Sequence, residues 1–504
     1  MGFQRAGYRV LGGVELDQKA TLTRATNFFK NAGPGAVRLH SETHDITKLT
    51  PAQFMVQVLR KSCPDDTVDV IIGGPPCQAF ARIGRAKLRE IMDHPQAFLK
   101  DERAKLYVNF LEYVEFFHPF AVVMENVPDI MNFGGQNVAE EIACSLESLG
   151  YRTRYTILNS AYYGVPQLRQ RFFLIAIADS LDVEPTFPEP THCTPLPGGY
   201  GSARRVALRT IGSSGHAGSR YISPPNAQLS LPAAVTAWEA LSDLPSITSH
   251  LQGNLNLGSR DFKQCVAYRR DGELSSYASL MRGWPGFESK EGVCHHVTRL
   301  LPRDYEIFRR MRAGDQYPQA YKTALKMLDE VLDQVERDMG KRPSPESADY
   351  QGLSSEIVPP YDPAKFPNKW RKMEPDKPSR TLTAHLSKDT YSHIHYDSAQ
   401  ARVITVREAA RLQSFPDGFV FTGPMNAAFR QIGNAVPPLQ AYALAKHLRG
   451  LLHIGAECEH DSVSPVMDGD WREESGELGQ ASRDATPYVR TQGPSEQEDE
   501  APSS

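Results

Sequence analysis

From the amino terminus to about residue 180, short apolar runs alternate with amphipathic stretches, the texture of a doubly wound α/β domain with a mostly parallel sheet. The runs at 8–14, 36–40, 68–72, 120–124, 155–158 and 172–178 predict strands. Between them, 103–117 sets Leu106, Phe110, Leu111, Val114 and Phe117 at helical spacing, and 136–149 predicts a second helix closed by Gly150. After Asp179 the chain turns to Pro, Gly, Ser and His-rich sequence, with predicted helices at 303–312 and 320–339. Regular α/β character returns at 380–383 and ends with a predicted helix at 438–452. One domain is therefore split in sequence into 1–179 and 368–454, with a smaller lobe inserted at 180–367 and a tail at 455–504.

Bulk composition narrows the class. The 504 residues are 40% hydrophobic and 23% charged, as in soluble globular proteins, and no run approaches the roughly 20 apolar residues of a membrane span. A cytoplasmic protein is expected. Seven cysteines without a Cys-x-x-Cys pair argue against a disulfide framework and a structural zinc site, so reduced thiols and no metal are expected. The net charge of −4 hides an asymmetry. Thirteen acidic and three basic residues fall in 455–504, which leaves the body mildly basic at +6. That tail is poor in large apolar residues and lacks any sustained period, the composition of disorder.

The candidate chemistry lies at Gly73-Gly74-Pro75-Pro76-Cys77-Gln78, directly after the predicted strand at 68–72. Open α/β sheets bind ligands at the carboxyl ends of their strands, and the two prolines hold the thiol in few conformations. Further on stand Met124-Glu125-Asn126-Val127, Gln167-Leu168-Arg169-Gln170-Arg171, Arg407-Glu408-Ala409-Ala410-Arg411-Leu412-Gln413-Ser414-Phe415-Pro416 and Gln431-Ile432-Gly433-Asn434-Ala435-Val436-Pro437. In that order, over roughly residues 1–180 and 370–452, these strings resemble the motif series of the cytosine-C5 DNA methyltransferases of bacterial restriction-modification type. The resemblance implies a Rossmann-like domain dependent on S-adenosyl-L-methionine, double-stranded DNA as partner, and a methyl group placed on C5 of a flipped-out cytosine.

It also implies roles. Cys77 would add to C6 of the base and Glu125 would contact its N3 and exocyclic amine edge. Arg169 is assigned to the substrate and Arg171 to the supporting shell. Glu15 would bind the ribose hydroxyls of the donor and Asp45-Ile46 would bracket its adenine, with Pro75, Leu106, Asn434 and Val436 completing the pocket. The segment after the cysteine resembles the family's mobile catalytic loop, so Gln78 would face the orphaned base and Arg82 and Arg85 the phosphates. Residues 180–367 take the place of the target-recognition region, with Arg204, Arg205, Arg209, Arg220, Arg269, Arg270, Arg282 and Arg299 as candidates for guanine edges or phosphates.

One departure stands out. The family's first motif, a strand and a Phe-x-Gly-x-Gly loop around the methionine part of the donor, is absent, and Gly12-Gly13 does not replace it. The expectation is a start upstream of Met1 or, alternatively, an N-terminally truncated and inactive DNA-binding remnant. A transfer-RNA methyltransferase of the related lineage fits less well, because its Cys-Phe-Thr string is missing. A monomer is expected, either solitary or functionally paired with a restriction endonuclease.

Overall fold

The computed structural model describes residues 1–62, 68–75, 106–133, 135–213, 219–253, 262, 264–269 and 274–459. The predicted runs from residue 68 onward form one sheet in the order β1–β2–β4–β3, with β1 at Val70–Gly73, β2 at Ala121–Asn126, β3 at Tyr151–Asn159 and β4 at Gln170–Ala178. Their apolar runs are nearly continuous because both faces are covered. Helices Leu106–Phe117 and Val138–Ser148 bury Phe110, Val114, Val138, Ile142 and Leu146 on one face. Helix Pro438–Glu459 lays Leu444, Leu448 and Leu451 on the other, against Val123, Ile175 and Ile177.

Strand direction decides where the chemistry can be. β1 and β2 pair in parallel, from Val70 opposite Ala121 to Gly73 opposite Met124, so both chains leave the sheet at one edge. β4 pairs antiparallel with β2 and with β3. Three of these four strands thus share a direction, and the reversed β4 brings its beginning to the edge where β1 and β2 end.

Several expectations fail for identifiable reasons. Residues 36–40 belong to a helix, Pro34–His40, because Gly33 turns the chain at φ 90° and Pro34 takes the first helical position, where a missing N–H costs nothing. The run at 8–14 adopts neither helix nor strand, since no strand of the described residues lies alongside it. Residues 380–383 likewise form no strand; only Ser379 bridges, to Gln167. The helix predicted at 303–312 is a short turn, Pro302–Asp304, followed by Tyr305–Arg310. Helix Tyr317–Met339 begins three residues earlier than predicted and buries Tyr317, Ala320, Ala324, Leu328 and Leu332 at helical spacing. The closing helix continues to Glu459, past the predicted tail boundary, and 460–504 fall outside the described residues.

The expectation of reduced thiols is corrected at two positions. The short antiparallel ribbon of β5 (Cys265–Ala267) and β6 (Gly292–Cys294) sets Cys265 directly opposite Cys294, with Cα atoms 4.1 Å apart, and the two form a disulfide. Spacing of 29 residues in sequence gave no hint of that register. The largest apolar cluster joins Leu241, Tyr277, Trp284 and Phe287 from the inserted region to Ile404, Phe415, Phe419 and Phe429 from the closing part.

Candidate active site

Glu125 is the penultimate residue of β2 and stands beside the glycines that end β1. A Cβ built on Gly74 would meet its Oε2 at 3.4 Å, and the next residue, Asn126, donates from Nδ2 to the Pro75 carbonyl at 3.0 Å. The outgoing loop is thereby tied to the end of β2 two residues before Cys77. Cys77 itself, with Gln78, Arg82 and Arg85, lies outside the described residues.

Because β4 is reversed, Arg171 arrives at this edge from the opposite strand, one position beyond the Asn126–Phe172 pair. Its Nε lies 3.2 Å from Glu125 Oε1, both side chains being mostly buried. Burial raises the Glu125 carboxyl above the ordinary carboxylate range, and the cations of Arg171 and Arg169 only partly offset this. Burial also lowers Arg171, countered chiefly by Glu125. A carboxyl whose hold on its proton is strengthened by burial, next to a guanidinium, can share that proton with a ring nitrogen while the guanidinium donates to a carbonyl oxygen.

The two arginines lie in different surroundings. Arg169 is 1% exposed and spends its guanidinium on main-chain oxygens, Nη1 on Leu382 at 2.7 Å and Nη2 on Gly433 at 3.0 Å and Ala435 at 3.2 Å. The reason is position: Arg169 precedes β4, where the chain turns inward, whereas Arg171 lies within the strand and follows its pleat to Glu125. Burial depresses Arg169 to about 9.

Arg169 sits in a node joining four stretches of sequence. Gln167 accepts from Leu382 N at 2.8 Å and donates to the Leu412 carbonyl at 3.2 Å and to Gln413. Gln413 donates to the Ala435 carbonyl at 2.6 Å, and Thr381 Oγ1 to the Leu168 carbonyl at 2.7 Å. Gly433 lies so close to the 383–384 backbone that an added Cβ would be 2.2 Å from the Thr383 carbonyl carbon. Gly433→Ala is expected to destabilise the protein by about 2–4 kcal/mol, since backbone on both sides must move; an unchanged denaturation midpoint would contradict this. The Arg407–Pro416 string is likewise structural. Arg407 donates to the carbonyls of Cys294, Pro416 and Phe419, Glu408 pairs with Arg402, and Arg411 pairs with Asp417 and Asp243.

The donor-pocket candidates surround β1. His44 N donates to the Glu15 carbonyl at 2.9 Å, which draws Glu15 next to Asp45. The exposed Glu15 carboxylate accepts the Asp17 amide on Oε1 at 2.8 Å, and among the described residues no hydrogen bond falls on Oε2. Asp45 is held below its ordinary range by the Thr47 hydroxyl and amide, so its carboxylate already shapes its own turn. Ile46 packs with the cluster that includes Ile71, and Val436 with the one that includes Val70, so they flank opposite faces of β1. Leu106 opens helix Leu106–Phe117, and Asn434 is exposed at the end of helix Met425–Asn434. A free acceptor on Glu15 and open carboxyl-edge apolar side chains, such as Ile72 at 55% exposure, suit a ribose and an aromatic base.

Several of the candidate DNA-reading arginines are engaged within the fold, among them Arg204, which donates to the Tyr221 hydroxyl at 3.2 Å. Arg220 pairs with Glu140 and Glu147, Arg282 pairs with Asp243, and Arg299 donates to the Leu386 and Ser387 carbonyls. Both rings of His295-His296 are also spent, on Phe262, Phe421, Thr405 and Pro245.

A mixed α/β sheet with a carboxylate and an arginine converging at the carboxyl edge, beside the Gly74-Pro75 backbone, has the architecture of an S-adenosyl-L-methionine-dependent methyltransferase carrying an inserted region. A model of the C-5 cytosine-specific DNA methylases matches residues 1–226 and 289–450. The candidate type II methyltransferase M.OihORF3336P of Oceanobacillus iheyensis is 38% identical over 451 residues, covering 89% of this chain and 92% of that protein. The type II methyltransferase M.AgeI of Thalassovita gelatinovora is 30% identical over 470 residues, covering 89% and 96%. The fold matches the crystal structure of a candidate DNA modification methyltransferase encoded within an E. coli prophage, at TM-score 0.53 and 22% identity over 90% of this chain and 95% of that one. The chain belongs to the C-5 cytosine-specific DNA methylase family, whose members use S-adenosyl-L-methionine to methylate cytosine C5 in DNA. Among the described residues no helix is long and apolar enough to cross a membrane.

Proposed function

We propose that this protein methylates C5 of an extruded cytosine at one specific duplex site through a transient bond between Cys77 and C6. The supporting observation is the meeting of Glu125 and Arg171 at the end of β2, beside a Gly74-Pro75 backbone that leads into Cys77.

C5 of cytosine is a poor nucleophile, so the ring must first be given electrons. The Cys77 thiolate adds to C6, forming the sulfur–carbon bond, while the C5–C6 π pair becomes available at C5. Glu125, its carboxyl raised by burial, shares a proton with N3 and so offsets the charge that addition brings into the ring. Arg171 holds the carboxyl in place and directs its remaining N–H donors at the base. S-adenosyl-L-methionine supplies the electrophilic methyl when bound, its ribose hydroxyls on Glu15 and its adenine beside Ile46. Loss of the C5 proton to a base, with expulsion of the Cys77 thiolate, restores the aromatic ring. The target carbon is inaccessible in a stacked pair, so the nucleotide is turned outward, with Gln78 at the vacated position and Arg82 and Arg85 on the phosphates.

In this reading 180–367 contributes the sequence-reading surface and the protein acts as a monomer. A restriction endonuclease of the same specificity is its functional counterpart, as the names of its relatives suggest. Incubation with donor and mixed-sequence duplex DNA, followed by bisulfite sequencing, should find 5-methylcytosine confined to one recurring sequence. Methyl groups on an exocyclic amine, or only on transfer RNA, would refute the reading.

A further inference from the structure

Glu15 and Asn434, two of the donor-pocket candidates, come from opposite ends of the chain, and one charged contact spans the gap between their elements. The Asp17 amide donates to Glu15 Oε1 at 2.8 Å, so the Glu15 side chain takes its direction from the residue two positions on. Asp17 also caps helix Gln18–Phe28, its Oδ1 accepting the Lys19 and Ala20 amides at 2.9 and 3.0 Å and its carbonyl accepting the Thr21 hydroxyl at 2.9 Å. The other carboxylate oxygen, Oδ2, pairs with Arg430 Nη2. Arg430 lies in helix Met425–Asn434, four residues before Asn434 and therefore on the same helix face, and both residues are exposed.

The ion pair is not what holds helix Gln18–Phe28 to the closing part of the domain. Uncharged bonds do that: Asn27 donates from Nδ2 to the Val420 carbonyl at 2.7 Å and accepts from the Val420 amide at 3.0 Å, Thr23 Oγ1 accepts from the Thr422 amide at 3.0 Å, and the Thr422 hydroxyl donates to the Lys19 carbonyl at 3.0 Å. The side chains of Asp17 and Arg430 are 32% and 49% exposed, and an ion pair so open to water adds little to stability. What it fixes is a distance. Asp17 reaches Glu15 through its main chain and Arg430 through its side chain, so a shift of either partner is passed to the Glu15 carboxylate.

We propose that Asp17 and Arg430 are positioning residues for the methyl donor, their ion pair setting the span between the Glu15 carboxylate and Asn434 across which S-adenosyl-L-methionine binds. This rests on the function argued above, in which Glu15 takes the ribose hydroxyls. Two parts of the donor site whose latch residues stand 413 positions apart in sequence are thereby kept at working distance.

The test uses Asp17→Asn, which keeps an oxygen for the Lys19 and Ala20 amides and the main-chain bond to Glu15 while removing the charge, and Arg430→Met, which keeps the length of the side chain. Titration calorimetry of the full chain with S-adenosyl-L-methionine should show each variant binding about fivefold more weakly, the double variant no more weakly than either alone, and all three melting where the parent does. With the 2′,3′-dideoxyribose form of the donor, which gives Glu15 no hydroxyl to hold, the loss should shrink below about twofold. Unchanged affinity in both single variants, penalties that multiply in the double variant, or an equal loss with both forms of the donor overturns the proposal and leaves the function standing. A parent that binds neither form of the donor would instead remove the reading on which the proposal rests, and the proposal with it.

Discussion

Glu125→Gln is expected to lower kcat by about 10²–10³-fold, the usual range for removing a positioned proton donor, while duplex affinity changes little. Gln keeps the shape and a donor amide but has no proton to share with N3. A second readout separates this from misfolding. The folded Glu125 carboxyl lies above its unfolded value, so what it contributes to stability is fully present below the unfolded pKa and is lost as pH rises through the folded one. Glutamine does not titrate. The melting temperature of the variant relative to the parent should therefore rise between pH 4 and pH 8, and a difference independent of pH would mean that Glu125 is not a raised carboxyl.

The two arginines, two residues apart in the motif, should behave oppositely. Arg169→Ala removes three bonds to main-chain carbonyls in a site 1% exposed and opens a cavity, so a loss of about 3–5 kcal/mol in unfolding free energy is expected. Arg171→Ala removes one partner of the pair with Glu125 at the edge of the site, where the carboxyl can neutralise itself by taking up a proton. Its stability should change by less than about 1 kcal/mol while kcat/KM falls at least about 100-fold. Denaturant titration and steady-state kinetics on both variants decide it; a stable, inactive Arg169→Ala with an unfolded or fully active Arg171→Ala would reverse the assignment.

The surroundings of these two arginines show where the sequence ceases to be legible. The strands from residue 68 onward and the two helices packed on them were visible, because continuous apolar runs and a helical stripe leave direct marks. Strand direction left none. Alternate placement of Arg169 and Arg171 suggested a shared face, but Arg169 falls before β4 starts, and the carbonyls it meets come from residues more than 200 positions away. The short helix at Pro34–His40 reads as a strand because five residues of mixed polarity fit either period, and the Gly33-Pro34 pair is its one start signal. The Cys265–Cys294 link depended on a two-strand register that spacing alone does not encode.

Glu125 and Arg171 stand out in the sequence for another reason: chemistry restricts which residue types can serve, and motif order carries that restriction. Their meeting further requires that β4 begins where β1 and β2 end.

The measurement that bears most directly on the mechanism is covalent trapping. Duplex DNA with 5-fluorocytosine at the target, incubated with the protein and S-adenosyl-L-methionine, should give a denaturation-resistant complex, because fluorine cannot leave as the C5 proton does. Peptide mapping should place the bond on Cys77, and Cys77→Ser should give none. A complex mapping to another residue, or turnover by Cys77→Ser at the parent's rate, would contradict the account.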